Sequence, residues 1–283
     1  MKINWFPGHM RKSQRELLDM MPKVDVVIEV LDARLPQASS NPLLQELRGQ
    51  RPCIKLLNKS DLADPQTTAA WVTCFEQQQG VRALPIEAKQ RGEVDRIQKL
   101  CRKLVPKRGS KGRDIRALVV GIPNVGKSTL INTLIGRKIA RVGDKPAITT
   151  CPQQVDLRNG IRLFDSPGLL WPNLQDHHGS QCLAASGAIG DNALDTIEVA
   201  RFSAEFLCSR YPQRLQERYK LTALPLAGDE LLEAIGRRRG CLISGGEVDP
   251  VRAAELLLHE MRGGKLGRIS FEEPPGTGEI KAR

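Results

Sequence analysis

The chain has 283 residues, 40% of them hydrophobic and 27% charged, an ordinary globular composition with room for two modest domains. No apolar run approaches the roughly 18 residues of a membrane helix, and the opening MKINWFPGHMRK lacks a secretory signal's apolar core and cleavage site. The net charge of +11 is uneven: residues 1–179 hold 29 Lys and Arg against 17 Asp and Glu, residues 180–283 hold 14 against 15, a surplus that serves either a polyanionic partner or solubility.

In chain order, VDVVIEVLDA (24–33) is a near-continuous apolar run and reads as a buried parallel strand. PCIKLLN (52–58) is a second, ending in NKSD (58–61). A helix is predicted over 65–80, opened by Pro65 and stopped by Gly80. VRALPIEAK (81–89) is a third strand and 92–104 the next helix, followed by a basic, Gly-containing connector at 105–114. IRALVVG (115–121) runs as a strand into GIPNVGKS, and 127–136 is a helix closed by Gly136. Residues 153–165 read as a hairpin turning at Asn159-Gly160. Beyond about 178 three amphipathic helices follow, each opened by an Asp that could cap it: Asp195, Asp229 and Asp249. The fold class is therefore α/β, a doubly wound and mostly parallel sheet over 1–178, with an all-α domain over 179–283. The seven cysteines (53, 74, 101, 151, 182, 208, 241) are odd in number and widely spaced, which excludes CxxC metal knuckles. Reduced thiols in a cytoplasmic protein are expected.

Ligands of such sheets bind at the carboxyl ends of the strands, where every motif falls. GIPNVGKS matches GxxxxGKS between a strand and a helix. Gly121 and Gly126 let the backbone N–H groups turn toward phosphates, with Asn124, Val125 and Thr129 lining the turn. Lys127 places a cation on the β and γ oxygens, and the Ser128 hydroxyl ligates Mg²⁺. At DSPG (165–168), Asp165 would hold Mg²⁺ and the Gly168 N–H would sense the γ-phosphate. Thr149, or its neighbour Thr150, is the candidate to close over the metal. NKSD would read the base. The Asp61 carboxylate accepts from guanine N1–H and its exocyclic amine, which adenine cannot offer in that arrangement. Asn58 would accept from the other base edge or tie loops together, the Lys59 stem would cover the base, and Ser60 belongs to the same turn. In IEAK (86–89), Glu87, Ala88 and Lys89 form the last loop, with the Ala88 N–H facing the guanine carbonyl.

The order NKxD, SAK-like loop, phosphate loop, DxPG is similar to that of the circularly permuted, Ras-like P-loop GTPases. NWFPGHM, LDAR (31–34), DSPGLLWP (165–172) and RAAELLLHEMRGGKLG resemble the ribosome biogenesis GTPase A family over nearly the whole chain. Glu87 where SAK is usual, and Ala147 where glycine is common, depart from the pattern. The resemblance implies a GTPase, binding GTP and GDP, that acts late in assembly of the large ribosomal subunit and contacts ribosomal RNA and precursor particles. It also implies slow intrinsic turnover raised by the ribosomal partner. Two rival functions are a GTP-gated RNA-binding module without remodelling and a tRNA-directed GTPase. A monomer is expected. By analogy with potassium-dependent relatives, Asn124 either ligates K⁺ or stabilises the loop.

Many small GTPases carry a water-orienting Gln after DxxG; here the position is Leu169. The catalytic group beside Lys127 is then sought elsewhere, and His9, in a Pro-Gly loop, is the leading candidate, ahead of His177 and His178. Arg11, Lys12, Arg15, Lys107, Arg108, Lys111 and Arg113 are candidate RNA phosphate contacts. Arg237, Arg238 and Arg239 fit either that role or a helix C-terminus complementing its dipole.

Overall fold

Strand β1 (Val26–Asp32) is buried at all seven residues, as a central parallel strand covered on both faces must be. It pairs in parallel with β2 (Cys53–Asn58) on one side and β4 (Ile115–Val120) on the other. Outward from β2 lies β3 (Val81–Ile86), and outward from β4 lies β6 (Ile161–Asp165), both parallel. Among the described strands only β5 (Gln153–Asp156) runs antiparallel, paired with β6 through the predicted hairpin. The six-stranded order is β3-β2-β1-β4-β6-β5. All five parallel strands therefore end at one edge, and the motifs at their tips meet there.

The computed structural model describes residues 15–109, 113–136, 153–157, 159–166, 177–189, 195–225 and 227–276. They form two compact units, one of described residues 15–166 together with 270–276, the other of 177–269. Residues 270–276 pack in the first unit rather than with the helices before them, so a division into 1–178 and 179–283 does not describe them.

In the first unit, α1 (15–20), α2 (Pro36–Ser39) and α3 (Pro42–Arg48) flank β1. The sequence reading missed all three; the last two open on proline, whose fixed φ suits a first turn. Helix α4 (Pro65–Glu76) is capped by Asp64, whose carboxylate accepts from Gln66 N and Thr67 N at 3.0 and 2.9 Å. It ends four residues before Gly80. Helix α5 (Arg91–Leu104) leads to the one-turn α6 (Pro106–Gly109) in the basic connector. Arg108 there pairs with Asp25 at 3.1 Å, a structural contact at one candidate phosphate ligand. The core between the sheet and α3 and α4 holds Val27, Leu31, Leu57, Leu44, Trp71 and Phe75.

One charged pair interrupts this apolar face. Glu29 and Lys55 stand opposite each other in the β1–β2 register and bond directly. Glu29 Oε1 also accepts from Asn41 N (2.7 Å) and Ser40 Oγ (3.2 Å), while Lys55 lies over the Phe75 ring at 4.7 Å. Lys55 also donates to Ser40 Oγ at 2.8 Å, so both charges have further partners, which is the condition for a tolerable buried pair.

The second unit is helical: α8 (His177–Ser186), α9 (Thr196–Arg210), α10 (Pro212–Tyr219), α11 (Gly228–Arg239) and α12 (Pro250–Arg262). Asp195 and Asp249 cap α9 and α12 as expected, each accepting from two backbone N–H groups. Asp229 does not cap α11; that helix begins one residue earlier, and Asp229 pairs with Arg201 at 2.8 Å instead. Arg237, Arg238 and Arg239 occupy the last turn of α11, where their charge complements the dipole. Arg237 pairs with Glu233, and Arg239 lies 3.7 Å from Glu260. Among the described residues no helix is long and apolar enough to cross a membrane.

Candidate nucleotide-binding site

The phosphate loop leaves β4 at Gly121. A Cβ at that position would lie 2.4 Å from the Val30 carbonyl oxygen, so the loop can hug β1 only with glycine there. Gly126 is more constrained still. Its φ of +104° is left-handed, and a Cβ would lie 2.2 Å from Asn58 Nδ2. The loop then enters α7 (Lys127–Ile135), whose first-turn N–H groups and positive end face the strand tips. Ser128 and Thr129 in that turn are half-buried, and Asn124 takes a left-handed φ of 55°.

Lys127 is buried, its ammonium donating to the Gly121 and Ile122 carbonyls at 2.9 and 2.7 Å. Burial lowers its pKa, and the neighbouring Asp165 opposes that fall. Asp165, at the tip of β6, is 2% exposed, and neither carboxylate oxygen has a hydrogen-bond partner among the described residues. Burial raises its pKa while Lys127 favours its charged form. A buried carboxylate without hydrogen bonds is costly unless a cation is close. The donor set of one carboxylate and the Ser128 hydroxyl suits Mg²⁺, which keeps most of its shell for water and phosphate oxygens.

The base loop is fixed by Asn58. Its Nδ2 donates to the Val125 carbonyl at 2.7 Å, and its Oδ1 accepts from Ala88 N at 2.9 Å. Of the two roles expected for Asn58, the structure shows the loop tie. It joins the NKSD turn, the phosphate loop and the IEAK loop. The Ala88 N–H, expected to meet a guanine carbonyl, is engaged in this tie. Ser60 Oγ donates to the Ile86 carbonyl at 3.0 Å, anchoring the turn to the end of β3. Lys59 takes a left-handed φ of 61°, and its ammonium bonds Asp32 Oδ2 at 2.9 Å. Asp61 is exposed at the same turn. In the last loop Glu87 N donates to Glu93 Oε2 at 2.6 Å, and Lys89 is exposed.

The structure thus brings Asn58, Lys59, Ser60, Asp61, Glu87, Ala88, Lys89, Asn124, Val125, Gly126, Lys127, Ser128, Thr129 and Asp165 to one edge of one sheet. His9, Thr149 and Gly168 lie outside the described residues. His177 and His178 belong to α8 of the helical unit, where the His178 ring packs edge-on against Phe202. Sequence reasoning missed the role of LDAR at the end of β1. Asp32 and Arg34 form a buried ion pair there that also holds Lys59. An acidic residue closing a buried strand was the available signal.

A phosphate loop on a central strand, tied to an NKxD loop that precedes it in the chain, defines a circularly permuted P-loop GTPase. The family model described as 50S ribosome-binding GTPase matches residues 116–204. Ribosome biogenesis GTPase A of Bacillus cereus is 43% identical over 286 aligned residues, covering 99% of this chain and 96% of that protein. Its namesake from Thermotoga maritima is 36% identical over 96% and 95%. The crystal structure of GNP-bound YlqF from T. maritima superposes with a TM-score of 0.65 at 30% identity, covering 93% of this chain and 99% of that one. The chain belongs to the ribosome biogenesis GTPase A family and is a GTPase.

Proposed function

We propose that this GTPase is a nucleotide-gated switch in late assembly of the large ribosomal subunit, binding precursor particles through ribosomal RNA. The relatives' shared name and the description of the family model support the ribosomal partner. So does the basic surplus of residues 1–179, since phosphate neutralisation dominates affinity for RNA. A monomer working in the cytoplasm is part of this reading.

The observation that carries the nucleotide half is the Asn58–Val125 bond, which fixes a base-reading turn against a phosphate loop. Asp61 selects guanine and the Lys59 stem covers the base. Lys127 neutralises charge on the β and γ oxygens as the terminal phosphoryl group leaves. Ser128, Asp165 and Thr149 hold Mg²⁺, which when bound spreads the same charge. Gly168 senses the γ-phosphate, and Asn124 is the candidate ligand for K⁺. His9 orients the attacking water, so His9→Ala lowers kcat by about one to three orders while GTP affinity stays near normal.

Co-sedimentation with large-subunit precursors in GTP analogue and in GDP tests the switch. Binding that differs between the two nucleotides, with turnover stimulated by precursors and not by free tRNA, is the expected result. Salt-sensitive binding indifferent to nucleotide would refute it. Nucleotide-dependent binding without stimulated turnover would favour the RNA-binding module.

A further inference from the structure

Beneath the base-reading turn, two cations converge on one buried carboxylate. Asp32, 2% exposed at the tip of β1, accepts from Arg34 Nε at 2.9 Å, Arg34 Nη2 at 2.8 Å and Arg34 N at 3.0 Å. Its Oδ2 also holds the Lys59 ammonium at 2.9 Å, and its own N–H donates to Ser39 Oγ at 3.1 Å. Burial alone would push Asp32 up, but Arg34 and Lys59 outweigh it and hold the carboxyl well below the usual carboxylate range. Arg34 in turn is disfavoured by burial yet kept above its ordinary value by Asp32 and, further off, by Asp61. The cluster of Asp32, Arg34 and Lys59 therefore carries one net positive charge within electrostatic reach of the Asp61 carboxylate.

The backbone of this cluster is braced from the chain's far end. Phe271 N donates to the Arg34 carbonyl at 2.7 Å, and the Glu272 carboxylate accepts from Gln37 N and Ala38 N at the start of α2. Trp71 Nε1 donates to the Glu272 carbonyl at 3.2 Å, and Ser270 Oγ accepts from Asp64 N.

We propose that Asp32, supported by Arg34, is a positioning residue of the guanine pocket, acting through Lys59. A lysine stem is apolar along its length and carries many rotamers when its end is loose. With Nζ clamped to a buried carboxylate, the stem is confined to one path before any base arrives. Binding then loses less side-chain freedom, which is how preorganisation raises affinity. The inference rests on the reading of NKSD as the guanine loop.

The test is a double-mutant cycle read as GDP and GTP dissociation constants alongside kcat. Asp32→Asn is expected to weaken both nucleotides about tenfold, or about 1.4 kcal/mol, with kcat unchanged. Lys59→Met, which keeps a stem and loses the cation, should weaken both nucleotides to a similar degree and leaves the Asp32–Arg34 pair intact should Asp32→Asn fold poorly. In the Lys59→Met background, Asp32→Asn should add less than twofold. A full additional loss there means Asp32 serves structure only, and normal affinity in Lys59→Met means the clamp does nothing; either overturns the proposal. Asp61→Asn separates the underlying reading. A switch from guanine to xanthine nucleotides with no effect of Asp32→Asn sinks this inference alone, whereas unchanged GTP preference in Asp61→Asn removes the guanine loop itself.

Discussion

Asn58→Ala removes both halves of the tie between the base loop and its neighbours. The lost bonds are Nδ2 to the Val125 carbonyl at 2.7 Å and Ala88 N to Oδ1 at 2.9 Å. Val125 and Ala88 are buried, at 1% and 3% exposure, so water cannot easily replace the missing partners. Each orphaned buried group costs about 1–3 kcal/mol, and the two together about 2–6 kcal/mol. Part of this appears as lower stability of the nucleotide-free protein, expected to fall by about 2–3 kcal/mol in urea unfolding. The rest appears as loops that must be ordered by the ligand, weakening GDP by about 30-fold or more in a fluorescent-nucleotide titration. Stability within about 0.5 kcal/mol of the parent, combined with a Kd within about twofold, would refute the tie as the organiser of the site.

Gly126→Ala forces a methyl group onto the Asn58 amide at 2.2 Å and strains a φ of +104°, so GDP affinity should fall about 100-fold or more. Gly160→Ala is the control: also left-handed at +82° but facing open space, it should cost about 1 kcal/mol of stability and leave nucleotide affinity untouched. Asp165→Asn should make GTP affinity nearly the same in Mg²⁺ and in EDTA, because the buried carboxylate that would hold the metal is gone; a preserved Mg²⁺ dependence would move the metal elsewhere. In the helical unit, Glu260 is held below its ordinary value of 4.5 chiefly by its hydrogen bond from Arg218. That stabilisation is present above pH 4.5 and is lost as pH falls through the depressed folded value. Glu260→Gln should therefore cost about 1–2 kcal/mol near neutrality, the half-exposed Arg218 limiting the loss, and the difference from the parent should vanish in acid.

Much of the first unit was legible because parallel strands announce themselves. VVIEVLD, CIKLLN and IRALVV are apolar on both faces, and each motif follows its strand with nothing between. The hairpin at Asn159-Gly160 and the caps at Asp195 and Asp249 were readable from turn and cap chemistry alone. Asp229 misled because an Asp inside the first turn looks the same in sequence as one at the cap. Helices α2 and α3 were missed because runs of four and seven residues are too short for a 3.6-residue period to show. Nothing local marks Ser270, Phe271 and Glu272 as part of the first unit, since their partners lie more than 200 residues away.

The order of the motifs, the glycines of the phosphate loop and the chemistry of Lys127, Asp61 and Asp165 are properties of the string of residues. They determine the class of protein, because each depends only on a strand tip and the turn that follows. Which side chains share a carboxylate was decided by tertiary structure. Register placed Glu29 against Lys55 and Asp32 beside Asn58, and only a folded sheet sets such register, since strands far apart in sequence become neighbours by closing long loops. Of the two roles the sequence left open for Asn58, the same closure produced the brace between three loops.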